Sequence, residues 1–176
     1  MKMHIQFSRI ISLALIFSLF LALTGCGRGS QSVDKLDSEE YQTLNEEIDR
    51  ILANLGSDVS ALPLAKEFSE ANDEKRAEMA LDLADDMAQA QLFGLVNEDM
   101  LALSAQAVKA YPHPLLLNNY AALLISLGLL EDSLYLFQKA ELQEAENPVL
   151  LTNIANTFLE LGDFSSAENY AKKALS

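Results

Sequence analysis

The sequence predicts an all-α protein in which helical hairpins stack side by side into an α-α superhelix. Apolar residues recur every three or four positions through most of the chain, which is the period of an amphipathic helix. Helix-capping residues and glycines interrupt this pattern, and residues near the C-terminus repeat at a fixed offset. No segment shows the alternation of β-branched and polar residues that predicts a strand.

Two helices are predicted in residues 37–74. Asp37 offers an N-cap acid with Glu40 three residues on, an arrangement related to the capping box. Apolar residues follow at helical spacing, and Gly56 stops the helix. A second helix begins near Pro63, which suits a first turn, and ends before Asn72. The apolar stripe of the first helix consists of Leu44, Ile48, Ile51, Leu52 and Leu55.

Residues 75–111 predict a helical hairpin. Its first helix begins at Asn72 or Asp73 and stops at Gly94, and its second is capped by Asn97 and runs to Ala110. The stripe of small and apolar residues in the first helix consists of Ala77, Met79, Ala80, Leu83, Ala84, Met87, Ala88 and Leu92.

Residues 112–176 contain two copies of a unit whose matching residues lie 34 positions apart. Such a fixed period is typical of repeat architectures, in which neighbouring units bury each other's apolar faces. Helix 115–127 is apolar almost all round and is therefore predicted to be sandwiched, whereas helix 149–161 has a polar side. The matching pairs are Pro114–Pro148, Leu117–Leu151, Asn119–Asn153, Ala121–Ala155, Leu127–Leu161, Gly128–Gly162 and Ala140–Ala174.

This helix-turn-helix unit resembles the tetratricopeptide repeat. Ala155 takes the family's close-packing position in the first helix, Gly162-Asp163-Phe164 makes the turn, and Ala167 and Ala174 are the small residues of the second helix. The corresponding residues of the preceding copy are Ala121, Gly128, Ser133, Phe137 and Ala140. Ser133 replaces the usual alanine. The resemblance covers 112–176 well and 75–111 weakly, and it does not cover 33–74.

The resemblance implies that the first helix of each repeat lines a concave groove that binds protein or peptide. Some tetratricopeptide domains use an asparagine at the positions of Asn119 and Asn153 to clamp a C-terminal carboxylate. Leu115 and Val149 stand where a basic partner would be needed, so the clamp is incomplete, and asparagine is also common there without a clamp. The residues expected in the groove are Asn118, Asn119, Ala122, Ile125, Ser126, Thr152, Asn153, Asn156 and Glu160.

The N-terminus predicts a cleaved signal peptide. Residues 10–23 form an uncharged apolar run of 14 residues, whereas a helix that spans a bilayer needs about 20. Lys2 and Arg9 supply the positive region that precedes the apolar core of a signal peptide. The alternative is a transmembrane helix extended through Ile5 and Phe7, which Arg9 interrupts.

Leu23-Thr24-Gly25-Cys26 follows this run and resembles the lipobox of bacterial lipoproteins. The resemblance implies lipidation of Cys26, cleavage after residue 25 and acylation of the new N-terminus. Residues 26–36 then form a flexible tether. More than one acyl chain holds a protein stably on a membrane. Because Gly27 rather than aspartate follows the cysteine, the resemblance implies an outer-membrane location in a two-membrane organism, and otherwise the cell membrane.

The charge balance argues against polyanionic partners. Loss of residues 1–25 lowers the basic residues from 12 to 10 against 26 acidic residues, which leaves a formal net charge of −16. Such a surface repels phosphates and anionic headgroups, so we expect no nucleic-acid binding and membrane attachment through the lipid alone.

Catalytic chemistry is not expected. His113 is the only histidine after the signal peptide, and it lies in a connection between Pro112 and Pro114. The sequence has none of the common hydrolase, zinc or phosphate-loop motifs, so we predict no catalytic residue, metal or cofactor. The predicted function is a membrane-anchored interaction scaffold or assembly factor of the bacterial envelope. The alternative is an envelope enzyme, or an accessory subunit of one, with its site in 33–74 or on a partner.

Overall fold

The computed structural model describes residues 36–55 and 63–176, which belong to one compact unit, Val33–Ser176. Within these ranges all regular structure is helical, which confirms the all-α prediction. The helices, numbered in chain order, are α1 (Ser38–Leu55), α2 (Pro63–Glu70), α3 (Asp73–Phe93), α4 (Glu98–Ala110), α5 (Pro114–Ser126), α6 (Leu130–Glu141), α7 (Pro148–Leu161) and α8 (Phe164–Ala174).

Several predictions from the sequence concern residues outside the described ranges. These residues are the signal peptide 1–25, Cys26, the tether up to residue 35 and the predicted helix stop at Gly56. Among the described helices, none combines the length and the apolar character needed to cross a bilayer.

The predicted caps define the helix ends. Asp37 Oδ1 accepts hydrogen bonds from the backbone N–H groups two and three residues on, both at 2.9 Å. Asn72 and Asn97 each accept one from the backbone N–H three residues on, also at 2.9 Å. Gly94 and Gly162 end α3 and α7 with φ of +66° and +81°. Glycine is favoured at these two positions because other residues adopt the left-handed conformation at an energetic cost.

The hairpins pack in register. α5 and α6 form one antiparallel pair and α7 and α8 the next, and α6 packs against α7 so that the second pair stacks on the first. α3 packs against α5 in turn, and α5 also contacts α4 and α7. The first helices α3, α5 and α7 therefore lie side by side, each followed by a second helix, α4, α6 or α8.

α5 occupies the centre of this stack, as its apolar character predicts. Ten of its residues are buried, compared with six in α7 and one in α8. The largest buried side chains of α5 are Leu116, Leu117, Tyr120, Leu123 and Leu124.

α1 lies across the second helices. Four residues of its apolar stripe are buried and Leu55 is half-buried, and α1 packs against α4. Lys109 Nζ of α4 contacts Asp49 Oδ1 at 2.6 Å, and Lys139 of α6 contacts Glu40 at 3.8 Å. Arg50 forms a further ion pair with Asp132 in the first turn of α6. α1 thus joins the two second helices on the side away from the layer of first helices.

Candidate functional site

The surface predicted to bind a partner is the outer face of the first helices α5 and α7. Both helices have proline in their first turn and a side-chain cap. Asn147 Oδ1 accepts from the backbone N–H groups of Val149 and Leu150 at 3.0 and 3.2 Å, and His113 Nδ1 accepts from that of Leu115 at 3.2 Å. These caps fix where each helix begins, and hence which side chains the two helices present.

Three of the predicted groove residues form a buried ladder of amides. Asn153 Nδ2 donates to Asn118 Oδ1 at 2.9 Å, and Asn118 Nδ2 donates to Asn119 Oδ1 at 3.0 Å. Asn119 Nδ2 donates to the Ala84 backbone carbonyl of α3 at 2.8 Å. The exposed fractions of Asn118, Asn119 and Asn153 are 7%, 6% and 3%. We call this chain of hydrogen bonds the amide ladder; it links α7 to α5 and α5 to α3.

This placement differs from the expectation that these asparagines face an open groove. Buried amides need hydrogen-bond partners because an unpaired polar group away from water is costly, and the ladder supplies those partners. Ala122, another expected groove residue, is 3% exposed. The all-round apolar character of helix 115–127 was the available signal, because a sandwiched helix buries its asparagines together with its leucines.

The remaining predicted residues are accessible. Ile125, Thr152 and Asn156 are half-buried, and Ser126 and Glu160 are exposed. We call these five residues the first-helix face. Thr152 Oγ1 donates to its own helix, to the Pro148 carbonyl at 2.7 Å.

The first-helix face is poor in positively charged side chains. α5 and α7 contain no lysine or arginine. Leu115 and Val149, at the positions where a carboxylate clamp would need a cation, are both half-buried. Desolvation by the surrounding protein raises the pKa of the Glu160 carboxyl, although the residue as a whole is exposed. This face is therefore suited to amide and apolar contacts rather than to an anionic chain end.

His113 has a structural role that sequence reasoning missed. It caps α5, and its ring stacks on Tyr111 with the ring centroids 5.4 Å apart. Burial lowers the pKa of His113, so the neutral ring that accepts the capping hydrogen bond is favoured. In the described part of the chain, no three histidine, cysteine, aspartate or glutamate side chains are grouped as a metal site would require.

Two glutamines also bridge neighbouring hairpins. Gln91 Nε2 of α3 donates to the Ala122 carbonyl of α5 at 2.8 Å. Gln143 Nε2, after α6, donates to the Pro112 carbonyl before α5 at 3.0 Å. No sequence signal marks these bonds, because a glutamine on a helix surface is equally compatible with solvent.

Comparison with known proteins gives no relative: no protein-family model, no curated protein and no solved structure matches this chain.

Proposed function

We propose that this protein is a lipid-anchored scaffold of the bacterial cell envelope, whose tetratricopeptide-like hairpins bind other proteins. The observation that supports this most is the stacking of two hairpins whose turn glycines are 34 residues apart, with the first helices side by side. Stacked helical pairs present a face that several repeats share, and such faces serve as binding surfaces in repeat proteins.

The part played by Cys26 in this proposal follows from sequence alone. A diacylglycerol and an N-terminal acyl chain on Cys26 would hold the folded part at the membrane, and residues 27–36 would separate it from the bilayer. The Cys26→Ser chain should then leave the membrane fraction and appear in the soluble fraction. Retention of Cys26→Ser in the membrane fraction would contradict the anchoring mechanism.

Protein binding is tested by cross-linking in the native cells. A photoactivated amino acid at Asn156 sits on the first-helix face, and one at Asn169 on the exposed side of α8 serves as the matched control. Illumination should join Asn156, and not Asn169, to a second envelope protein. If neither position gives a protein adduct, or both give the same adducts, the first-helix face is not a binding surface.

A further inference from the structure

The turns between first and second helices lie on one edge of the array. The three turns contain Gly94, Gly128 and Gly162, which share a positive φ. The bond from Gln91 to the Ala122 carbonyl joins the last turns of α3 and α5, so these two helices end together. α5 and α7 end together as well, since the bond from Asn153 to Asn118 joins residues that each lie eight positions before the last residue of their helix. We call this side of the array the turn edge.

Exposed apolar side chains concentrate on the turn edge. Among the described residues nine large hydrophobic side chains are exposed, and five of them lie within three residues of a turn glycine. Phe93 and Phe164 are 67% and 70% exposed. Scattered single exposed leucines are ordinary, whereas a contiguous apolar patch on a polar surface is typical of an interaction site. The members of this apolar ridge are Phe93, Leu95, Leu127, Leu159 and Phe164.

The same edge is acidic. Its exposed carboxylates are Glu98, Asp99, Glu131, Glu160 and Asp163. Acids are favoured in the first turns of α4 and α6 by the helix dipole, and Asp163 caps α8. The helix dipole accounts for these charges, except for Glu160 in the last turn of α7, and it does not account for the exposed aromatic rings beside them.

The basic side chains of the described residues lie elsewhere, with one exception. Lys109, Lys139, Lys172 and Lys173 are in the last turns of the second helices, at the opposite edge. Lys75 and Arg76 are near the start of α3, and Lys66 is in α2. Arg50 alone reaches the turn edge, where it is shared between Glu47 and Asp132. Within the part of the chain that the structure describes, the ridge is therefore apolar and flanked by carboxylates that have no ion-pair partner.

We propose that the turn edge is a docking surface for a basic amphipathic helix of another protein. The apolar residues of that helix would contact the ridge, and its lysines or arginines would meet the flanking carboxylates. A second copy of this chain is unfavourable as the occupant because its turn edge is acidic and the lysines of its opposite edge are already paired with Asp49, Glu40, Glu168 and Glu141. Anionic headgroups and nucleic-acid phosphates are repelled for the same reason.

The spacing of the turns sets the size of the partner. Packed helices lie about 8–10 Å apart, so the three turns span about 20 Å. A helix rises about 1.5 Å per residue, so about 14 residues cover this length. Apolar residues about seven positions apart on the partner would align with successive turns. This inference rests on the proposed protein-binding function but places the partner on the turn edge, which shares only Glu160 with the first-helix face.

A defined peptide tests the proposal. The probe is a fluorescent amphipathic helix with leucine on one face and lysine elsewhere, and its counterpart has glutamate in place of lysine. The protein is the chain from Cys26 onward with Cys26→Ser, which contains all of the compact unit Val33–Ser176. Fluorescence anisotropy measures both affinities at low and at physiological salt.

Binding of the lysine peptide is expected to depend on the apolar residues of the turn edge. The lysine peptide should bind the parent chain about tenfold more tightly than it binds the Phe93→Ser/Leu127→Ser/Phe164→Ser chain. The matched control changes three exposed leucines away from the turn edge, Leu81→Ser/Leu142→Ser/Leu175→Ser, and should keep the parent affinity. The glutamate peptide should not bind, and added salt should weaken binding of the lysine peptide severalfold.

Other outcomes overturn the proposal. Equal affinity of the parent and ridge-variant chains for the lysine peptide would mean that the ridge is not the binding surface. Binding of phosphatidylcholine vesicles that depends on the ridge, without peptide binding, would make the membrane its occupant. In either case, adducts at Asn156 in the native cells would still support the proposed scaffold function. Loss of both the adducts and the peptide binding would refute the two proposals together.

Discussion

Replacement of Asn118 by leucine tests the amide ladder at its central member. Leucine has the same branched arrangement of four side-chain heavy atoms as asparagine and is somewhat larger, so the change removes polar atoms without opening a cavity. It leaves Asn119 Oδ1 and Asn153 Nδ2 buried without the partners that they have at 3.0 and 2.9 Å. An orphaned buried polar group costs about 1–3 kcal/mol, so the free energy of unfolding should fall by about 2–6 kcal/mol.

The double variant separates this mechanism from a general loss of packing. Asn153→Leu alone orphans Asn118 Oδ1 and should cost about 1–3 kcal/mol. In Asn118→Leu/Asn153→Leu both partners of that bond are gone, so only Asn119 Oδ1 is left unpaired. The double variant should therefore lose less than the sum of the single variants, and because two fewer polar groups are orphaned, the coupling energy should be about 2–6 kcal/mol.

Urea unfolding followed by far-UV circular dichroism measures these differences on the chain from Cys26 onward with Cys26→Ser. Asn169→Leu, on the exposed side of α8, is the matched control and should change stability by less than about 0.5 kcal/mol. A loss for Asn118→Leu no greater than that of this control, or additive losses of the two ladder variants, would contradict the role of the amide ladder in stability.

Two further predictions concern a buried hydroxyl and a half-buried imidazole ring. Within the described residues the Tyr120 hydroxyl is buried without a hydrogen-bond partner, so Tyr120→Phe should leave the thermal midpoint unchanged or raise it. A marked fall of the midpoint would show that the hydroxyl is bonded. Burial lowers the pKa of His113 from 6.5, so the unfolded chain binds more protons and stability should decline as the pH falls below about 6.5. His113→Asn keeps a capping acceptor and should flatten this decline in urea titrations; an unchanged profile would contradict it.

The helix boundaries could be predicted from sequence because they depend on neighbours in the chain. Asn72 and Asn97 bond to N–H groups three residues on, and Gly162 meets a backbone requirement that is local. The 34-residue offset likewise indicated which helices are equivalent, and the apolar surface of 115–127 indicated the central helix. The lipidation of Cys26 and the binding function remain predictions from the sequence.

The side chains available to a partner were decided only by tertiary structure. Whether Asn118 and Asn153 face solvent or each other depends on how closely α5 and α7 approach, and the 34-residue repeat does not encode that distance. The apolar stripe of α1 showed that the helix must pack, but its place across α4 and α6 follows from contacts between residues far apart in sequence. The placement of the exposed rings of Phe93 and Phe164 along the same edge likewise arises only when the hairpins stack. Local interactions set where each helix begins and ends, and contacts between helices set which of its faces stays exposed.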